Sequence, residues 1–302
     1  MKLKRLVSLA LGSGVALATV GASSAQAVLV VTTTTDAATL GNTIIGSGIT
    51  ATNFVYTGGD IASGTFTGGT SAGIGIDQGI ILTSGDANLA TGPNSTGGST
   101  GSNTALGDAQ LSALAGGAGT FNASVLSFDF TSTSSDLFFN FVFASEEYPE
   151  FANTNFNDVF GFFVDGTNIA LVPGTTTPIT INTINNGNGN SGVNAQNPQF
   201  YIVNPSGAAG TQYDGYTTVL TAQALGLSAG SHSIKLAIAD VGDASLDSAV
   251  FIQANTFAAT NPTLPPTGSP TDVPEPFTIV GTLIGGTAAL RMRKKLKSND
   301  KV

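Results

Sequence analysis

Leu137-Phe138-Phe139-Asn140-Phe141-Val142-Phe143 runs into Ala144-Ser145-Glu146-Glu147-Tyr148-Pro149-Glu150, and after Asn153, Asn155, Asn157 and Asp158 the chain resumes as Val159-Phe160-Gly161-Phe162-Phe163-Val164-Asp165-Gly166. Both apolar runs are short, rich in aromatic and β-branched residues, and bounded by polar or turn-forming residues. That combination reads as strand, not helix. Asp165-Gly166 supplies the positive φ angles of a tight hairpin turn. The unit is therefore strand, acidic loop, strand, hairpin.

The same grammar extends outward. Asn53-Phe54-Val55-Tyr56 and Gly79-Ile80-Ile81-Leu82-Thr83 lie upstream between Gly-rich breakers. Val125 to Phe130, Pro178 to Ile184, Phe200 to Val203, Thr217 to Leu220, Ser233 to Ala239 and Ala249 to Gln253 complete the set of expected strands. Helical periodicity is confined to Thr104 to Leu114, with one further turn expected at Gln223 to Leu227. Many short strands with turn chemistry between them predict an all-β fold, a jelly-roll-like two-sheet β-sandwich with one or two short helices. A closed up-and-down barrel is the alternative. No fixed-period repeat points to a solenoid or propeller. Phe128, Phe130, Phe138, Phe139, Phe141, Phe143, Phe156, Phe160, Phe162 and Phe163 are expected to be mostly core.

Charge is unevenly placed along the 302 residues. Nine of the ten basic residues lie near the two ends, so residues 28 to 276 hold 18 acidic residues against Lys235 alone. Such a body repels nucleic acid and anionic lipid and attracts divalent cations. There is no cysteine, which excludes disulfides and thiolate metal sites. His232 is the sole histidine, and no nucleophile motif accompanies it, so triad and zinc chemistries are not expected and His232 is read as structural.

The two ends read as targeting segments. Lys2, Lys4 and Arg5 precede an apolar run from Leu6 to Val20 and the small-residue stretch Ala22-Ser23-Ser24-Ala25-Gln26-Ala27. This predicts a secretory signal peptide over residues 1–27, with Ala25 and Ala27 forming the A-x-A site for signal peptidase. At the other end Val273-Pro274-Glu275-Pro276 leads into apolar Phe277 to Leu290 and then Arg291-Met292-Arg293-Lys294-Lys295. Fourteen helical residues rise only about 21 Å against a hydrocarbon core of about 30 Å, and the basic cluster is expected to stay cytoplasmic. The Pro274-Glu275-Pro276 motif, apolar helix and basic end resemble the PEP-CTERM sorting signal. That resemblance implies processing by an exosortase-type membrane protease and a host that makes exopolysaccharide. Residues 260–272, with four prolines among Thr, Gly and Ser, read as an extended linker, leaving 28–259 as one domain and 273–302 as the sorting tail.

Chemistry concentrates in two acidic loops. Glu146, Glu147, Asn157 and Asp158 lie in the first, and Asp240, Asp243 and Asp247 follow the expected strand Ser233 to Ala239. Carboxylates and amides on loops supply hard oxygen ligands of the kind Ca²⁺ takes six to eight of. Two readings stay open: a Ca²⁺ site where the loops meet, or solvated loop charges and turn caps. EF-hand spacing is absent. A polysaccharide hydrolase would need a carboxylate pair such as Glu147 with Asp240 or Asp243 facing each other across a cleft. A carbohydrate-binding module would need an exposed platform from Tyr148, Tyr201, Tyr213 or Tyr216.

Several ordered blocks together resemble the choice-of-anchor L domain of bacterial surface proteins. They are residues 79–86, Gly92-Pro93-Asn94, Leu126-Ser127-Phe128-Asp129-Phe130, residues 143–150, Phe156-Asn157-Asp158-Val159-Phe160-Gly161-Phe162, Asp214-Gly215-Tyr216-Thr217-Thr218, and Ile238-Ala239-Asp240-Val241-Gly242-Asp243 with Asp247-Ser248-Ala249-Val250. The similarity spans about Thr39 to Phe257 and implies a surface domain attached by whichever device the host uses. It carries no catalytic residues. The resulting expectation is an exported, non-catalytic protein of the cell surface or matrix, with secretion machinery, signal peptidase, exosortase and exopolysaccharide as partners and no nucleic acid. It would meet the membrane through the C-terminal helix before processing.

Overall fold

The computed structural model describes residues 29–99, 101, 103–207 and 210–262. The expected signal peptide with Ala25 and Ala27, and the tail with Pro274, Glu275 and Pro276, lie outside the described residues, as does nearly all of the linker. Among the described residues no helix is long and apolar enough to cross a membrane.

Two antiparallel sheets form the body. The first takes β1 (Val30–Thr33), β3 (Ser63–Thr67), β4 (Gly79–Thr83), β13 (Ser248–Gln253), β6 (Leu137–Ser145), β10 (Gly215–Thr217) and β9 (Tyr201–Val203) in that order, with β11 (Leu220–Ala224) pairing β6 beside β10. The second runs β2 (Ile49–Thr57), β5 (Thr120–Ser132), β12 (His232–Val241), β7 (Val159–Val164) and β8 (Thr167–Asn168). Successive strands from β4 to β7 alternate between the sheets, as do β12 and β13, so the fold is the expected all-β sandwich. The Asp165-Gly166 hairpin joins β7 to β8, with φ of 47° and 82° at its two central residues.

Apolar residues of both sheets meet in one central core. Phe257 sits at its aromatic centre, with ring centroids 5.2 Å from Phe128, 5.2 Å from Phe130 and 5.4 Å from Phe139. β6 and β7 are buried at every position, not at alternate ones. Each outer face is covered as well: Phe66, Val142, Tyr213 and Phe251 pack outside the first sheet, and Leu111, Val159 and Phe163 outside the second. Strands covered on both faces read as continuous apolar runs. This explains the phenylalanine density of the stretch 137–164.

Local structure departs from the sequence reading in five places, the first being Thr217 to Leu220, which is not one strand but the break between β10, ending at Thr217, and β11, beginning at Leu220. The helix expected over Thr104 to Leu114 is α2 (Ala109–Leu114) only, because Asp108 caps it through the amides of Gln110 and Leu111, and Thr104 takes a positive φ. A second helix, α1 (Ala37–Ile44), went unread although Asp36 caps it through the amides of Ala38 and Thr39. Pro178 to Ile184 is not a strand. Its backbone folds on itself, the Thr180 amide donating to Thr183 Oγ1 at 2.8 Å and the Thr183 amide to Thr180 O at 3.1 Å. Gln223 and Ala224 extend β11, pairing with Phe138 and Leu137, so no helical turn begins there.

Candidate functional site

Strand register decides which acidic residues meet. Ser145, the last residue of β6, faces Gly215 on one side and Ser248 on the other. One step further along these antiparallel strands, Glu146 lies between Asp214 and Asp247, and its amide still donates to Asp247 O at 3.1 Å. On the second sheet Ala239 pairs with Val159, which brings Asp240 beside Asp158. The loops leaving β6 and β12 thus gather at one end of the sandwich.

Burial there is nearly complete. Glu146, Glu147, Asp158, Asp240 and Asp247 are each exposed by 2% or less. Asp158 is well held: Oδ1 accepts the Val241 amide at 2.9 Å, and Oδ2 lies 2.6 Å from Ser248 Oγ. Asp240 Oδ2 accepts from Asn122 Nδ2 at 2.9 Å, and Asp247 Oδ2 accepts the Gly101 amide at 2.6 Å. Oε2 of Glu147 and Oδ1 of Asp240 are buried with no hydrogen-bond partner among the described residues, and the buried Glu146 carboxyl is approached by the Ser99 amide and the Asp214 carboxyl. Gly85 makes room for this packing, since a Cβ there would fall 1.7 Å from Asp247 Oδ2.

Loss of water and like charge act in the same direction. Burial, reinforced by Asp214, pushes the Glu146 carboxyl up to about 9, and burial with Asp243 and Asp240 pushes Glu147 up to about 8. Asp240 rises to about 7 through burial, opposed by Ser84 and Asn122 and reinforced by Asp247 and Asp243. Asp158 is held well above the usual carboxylate range by burial and then by Asp240. Asp214 is raised by burial.

Neither described cation offsets this charge. Lys235 Nζ is 2.5 Å from Asp108 Oδ2 and 3.0 Å from Gln110 Oε1, and five residues of strand separate it from Asp240, roughly 16 Å. His232 contacts Asp165 Oδ2 at 2.6 Å through Nδ1 and Ser228 O at 2.9 Å through Nε2. Carbonyl and carboxylate both accept, so this geometry suits an imidazolium, and the contact with Asp165 raises the histidine pKa. Its role is structural at the β7–β8 hairpin.

Of the residues read as metal ligands, Glu147, Asp158, Asp240 and the exposed Asp243 neighbour one another, Asp247 acts on both Asp240 and Glu146, and Asp214 stands beside Glu146. Asn157 goes elsewhere, its Oδ1 accepting the Asn182 amide at 2.8 Å. Among the described residues no three carboxylate or imidazole groups converge on a common point as a ready metal site. Asp214 was not read as part of the cluster. Its only signal was a place in the block Asp214-Gly215-Tyr216, and its partners are set by pairing across more than sixty residues of chain. The reading of Glu146 and Glu147 as solvated charges does not hold, since both are sealed inside.

That sealing also removes Glu147 and Asp240 from any open saccharide cleft, which a hydrolytic pair needs. Tyr148, Tyr213 and Tyr216 are buried, so they form no stacking platform. A cleft of about 390 Å³ does open beside the cluster, with Asn94, Glu150, Asn204 and Asp214 as well as Pro149 and Val203 among its walls.

No curated protein and no solved structure gives a match to this chain. The model of the choice-of-anchor L domain matches residues 13–258. The described sandwich falls almost wholly inside that span, and the chain therefore belongs to the choice-of-anchor L domain family and is a surface-associated protein.

Proposed function

We propose that this is an exported, non-catalytic protein of the cell surface or extracellular matrix, sorted through its PEP-CTERM tail and ordered by calcium at the acidic end of its sandwich. Secretion machinery and signal peptidase would act at Ala25 and Ala27, and an exosortase-type protease near Pro274-Glu275-Pro276. The observation that carries the calcium reading is the pair of buried oxygens on Glu147 and Asp240 with no hydrogen-bond partner and no basic side chain to offset them among the described residues. Burying several carboxylates together without a counter-charge is strongly unfavourable. Hard oxygen donors of this kind suit Ca²⁺, with Glu147, Asp158, Asp240 and Asp243 as its ligands and water or backbone carbonyls completing the shell. Binding would draw the carboxylates onto the ion.

Association with exopolysaccharide finds support in the cleft. Asn204 Oδ1 is buried and unpartnered there, and Glu150 and Asp214 add further acceptors for sugar hydroxyls. The test is a thermal melt of the purified protein in EDTA and across a calcium titration, repeated on Asp240→Ala. A ligand of the native state raises the midpoint with the logarithm of its free concentration. A calcium-dependent rise lost in the variant supports the reading, and a midpoint indifferent to millimolar calcium overturns it.

A further inference from the structure

Three buried amide side chains stand at and beneath the walls of the cleft, and each has spent its hydrogens inward. Asn94 Nδ2 donates to Asn204 O at 2.7 Å and to Asp214 Oδ1 at 2.5 Å. Gln212 Nε2 donates to Asn94 Oδ1 at 3.2 Å and to Thr96 O at 3.0 Å. Asn204 Nδ2 donates to Thr211 O at 3.0 Å and to Tyr213 O at 2.7 Å, and two carbonyl partners fix which end of this side chain is nitrogen. Its Oδ1 has no hydrogen-bond partner among the described residues, although Asn204 is only 1% exposed. The carboxylates of Asp214 and Glu150 share the same walls, and no lysine, arginine or histidine is among them. Burial raises the Asp214 carboxyl, Asn94 opposes the rise and the charge of Glu150 adds to it, so the two acids stand close enough to repel. The buried part of the cleft therefore offers acceptors and negative charge.

Resting on the exopolysaccharide reading above, we propose that this cleft is a subsite for an amino sugar, a pyranose unit with an unacetylated amine, within the polysaccharide the protein meets. An ammonium brings three N–H donors and a positive charge, the complement of two carboxylates and an amide oxygen. A hydroxyl brings one donor and no charge, N-acetylation leaves a single N–H and no charge, and a uronic acid is repelled by Asp214 and Glu150. Pro149 and Val203 give the C–H face of a sugar ring an apolar surface to rest on. At about 390 Å³ the cleft falls in the range of about 300–1,000 Å³ typical of small-molecule sites. A lysine side chain carries the same ammonium on a slender stem that leaves those apolar walls uncovered.

Calorimetric titration of the purified full-length protein tests this, at physiological salt so that the general attraction of an acidic body for cations is screened. The probes are short oligomers of glucosamine, N-acetylglucosamine, glucose and a uronic acid, all of one length, with trilysine as the peptide cation. Glucosamine oligomers should bind about tenfold or more tighter than the other four, the scale of one charge-assisted hydrogen bond. Glu150→Gln and Asp214→Asn should each erase that preference, while Asp77→Asn, an equal loss of charge at an exposed residue that does not line the cleft, should keep it. Glu150 is exposed, so its variant decides the matter should Asp214→Asn fail to fold. Equal or tighter binding of the neutral or acidic oligomers overturns the amino-sugar assignment and leaves the exopolysaccharide reading standing. Trilysine binding as tightly as the glucosamine oligomer, or a preference unmoved by Glu150→Gln, overturns the subsite. No binding of any saccharide by the folded protein removes the exopolysaccharide reading with it.

Discussion

Replacing Asp240 by Asn should have opposite consequences with and without calcium. The residue is fully buried, its Oδ2 accepts from Asn122, and its Oδ1 has no hydrogen-bond partner among the described residues. Its pKa, raised from 3.8 to about 7, means that the folded state disfavours the charge. The raised value makes stability complete below the unfolded pKa and progressively lost as pH climbs through the folded one. At about 1.4 kcal/mol per pH unit the loss reaches about 4 kcal/mol as a ceiling. Structural relaxation and water penetration reduce it, and about 2 kcal/mol is a reasonable working figure. An amide keeps the acceptor for Asn122 and adds a donor toward the neighbouring carboxylates. At about pH 8 in EDTA, Asp240→Asn should therefore melt higher than wild type by roughly 4–8 °C, at about 2–4 °C per kcal/mol for a domain of this size. In calcium the order should reverse, because the wild type gains binding free energy, about 2.7 kcal/mol at a hundredfold excess over Kd, and the variant does not. The assay is circular dichroism melting of both proteins in both buffers. A variant that melts at or below wild type in EDTA refutes the repulsion argument, and a calcium shift surviving in the variant refutes the ligand assignment.

Without divalent cations, wild-type stability should fall as pH rises from about 4 to 9, because Asp240, Glu147 and Glu146 all have raised pKa values, and calcium should flatten that profile; melts across pH check this. Phe257→Ala should cost about 3–5 kcal/mol, since three phenylalanine rings pack on it at the centre of the core, and urea denaturation reads the loss. The sole histidine offers a clean NMR titration: His232 should titrate above 6.5, and Asp165→Asn should lower it. The stabilisation from the pair is full below the unfolded histidine value and above the unfolded aspartate value. It fades as pH rises through the His232 pKa or falls through the lowered Asp165 pKa. With Asp165 half exposed the contribution stays below about 1 kcal/mol. Gly166→Ala should cost about 1 kcal/mol in thermal melts, because the turn holds that residue at φ 82°.

Strand identity was legible because it is a local property. β4 and β7 were read at their observed bounds, Gly79–Thr83 and Val159–Val164, since apolar runs and flanking breakers are adjacent in the chain. The sandwich class followed from the number of such runs. Helix α1 shows the same locality in reverse: its Asp36 cap and the helical spacing of Ala37, Leu40, Gly41 and Ile44 were both present in the sequence, and an element of only eight residues was missed all the same. The two acidic loops were also visible as composition. What composition could not convey was burial. Glu146 and Glu147 have the residue types of a solvated loop, yet they are sealed because β6 is flanked by β10 and β13 and its end is covered from the second sheet. Likewise Asp214 joins Glu146 only because Gly215 pairs with Ser145. Pairings across seventy residues depend on which strands lie side by side, and that order is chosen by packing of the whole core. The sequence alone determined the strands, the charge and the acidic loops, whereas only the tertiary structure decided which carboxylates lose their water together.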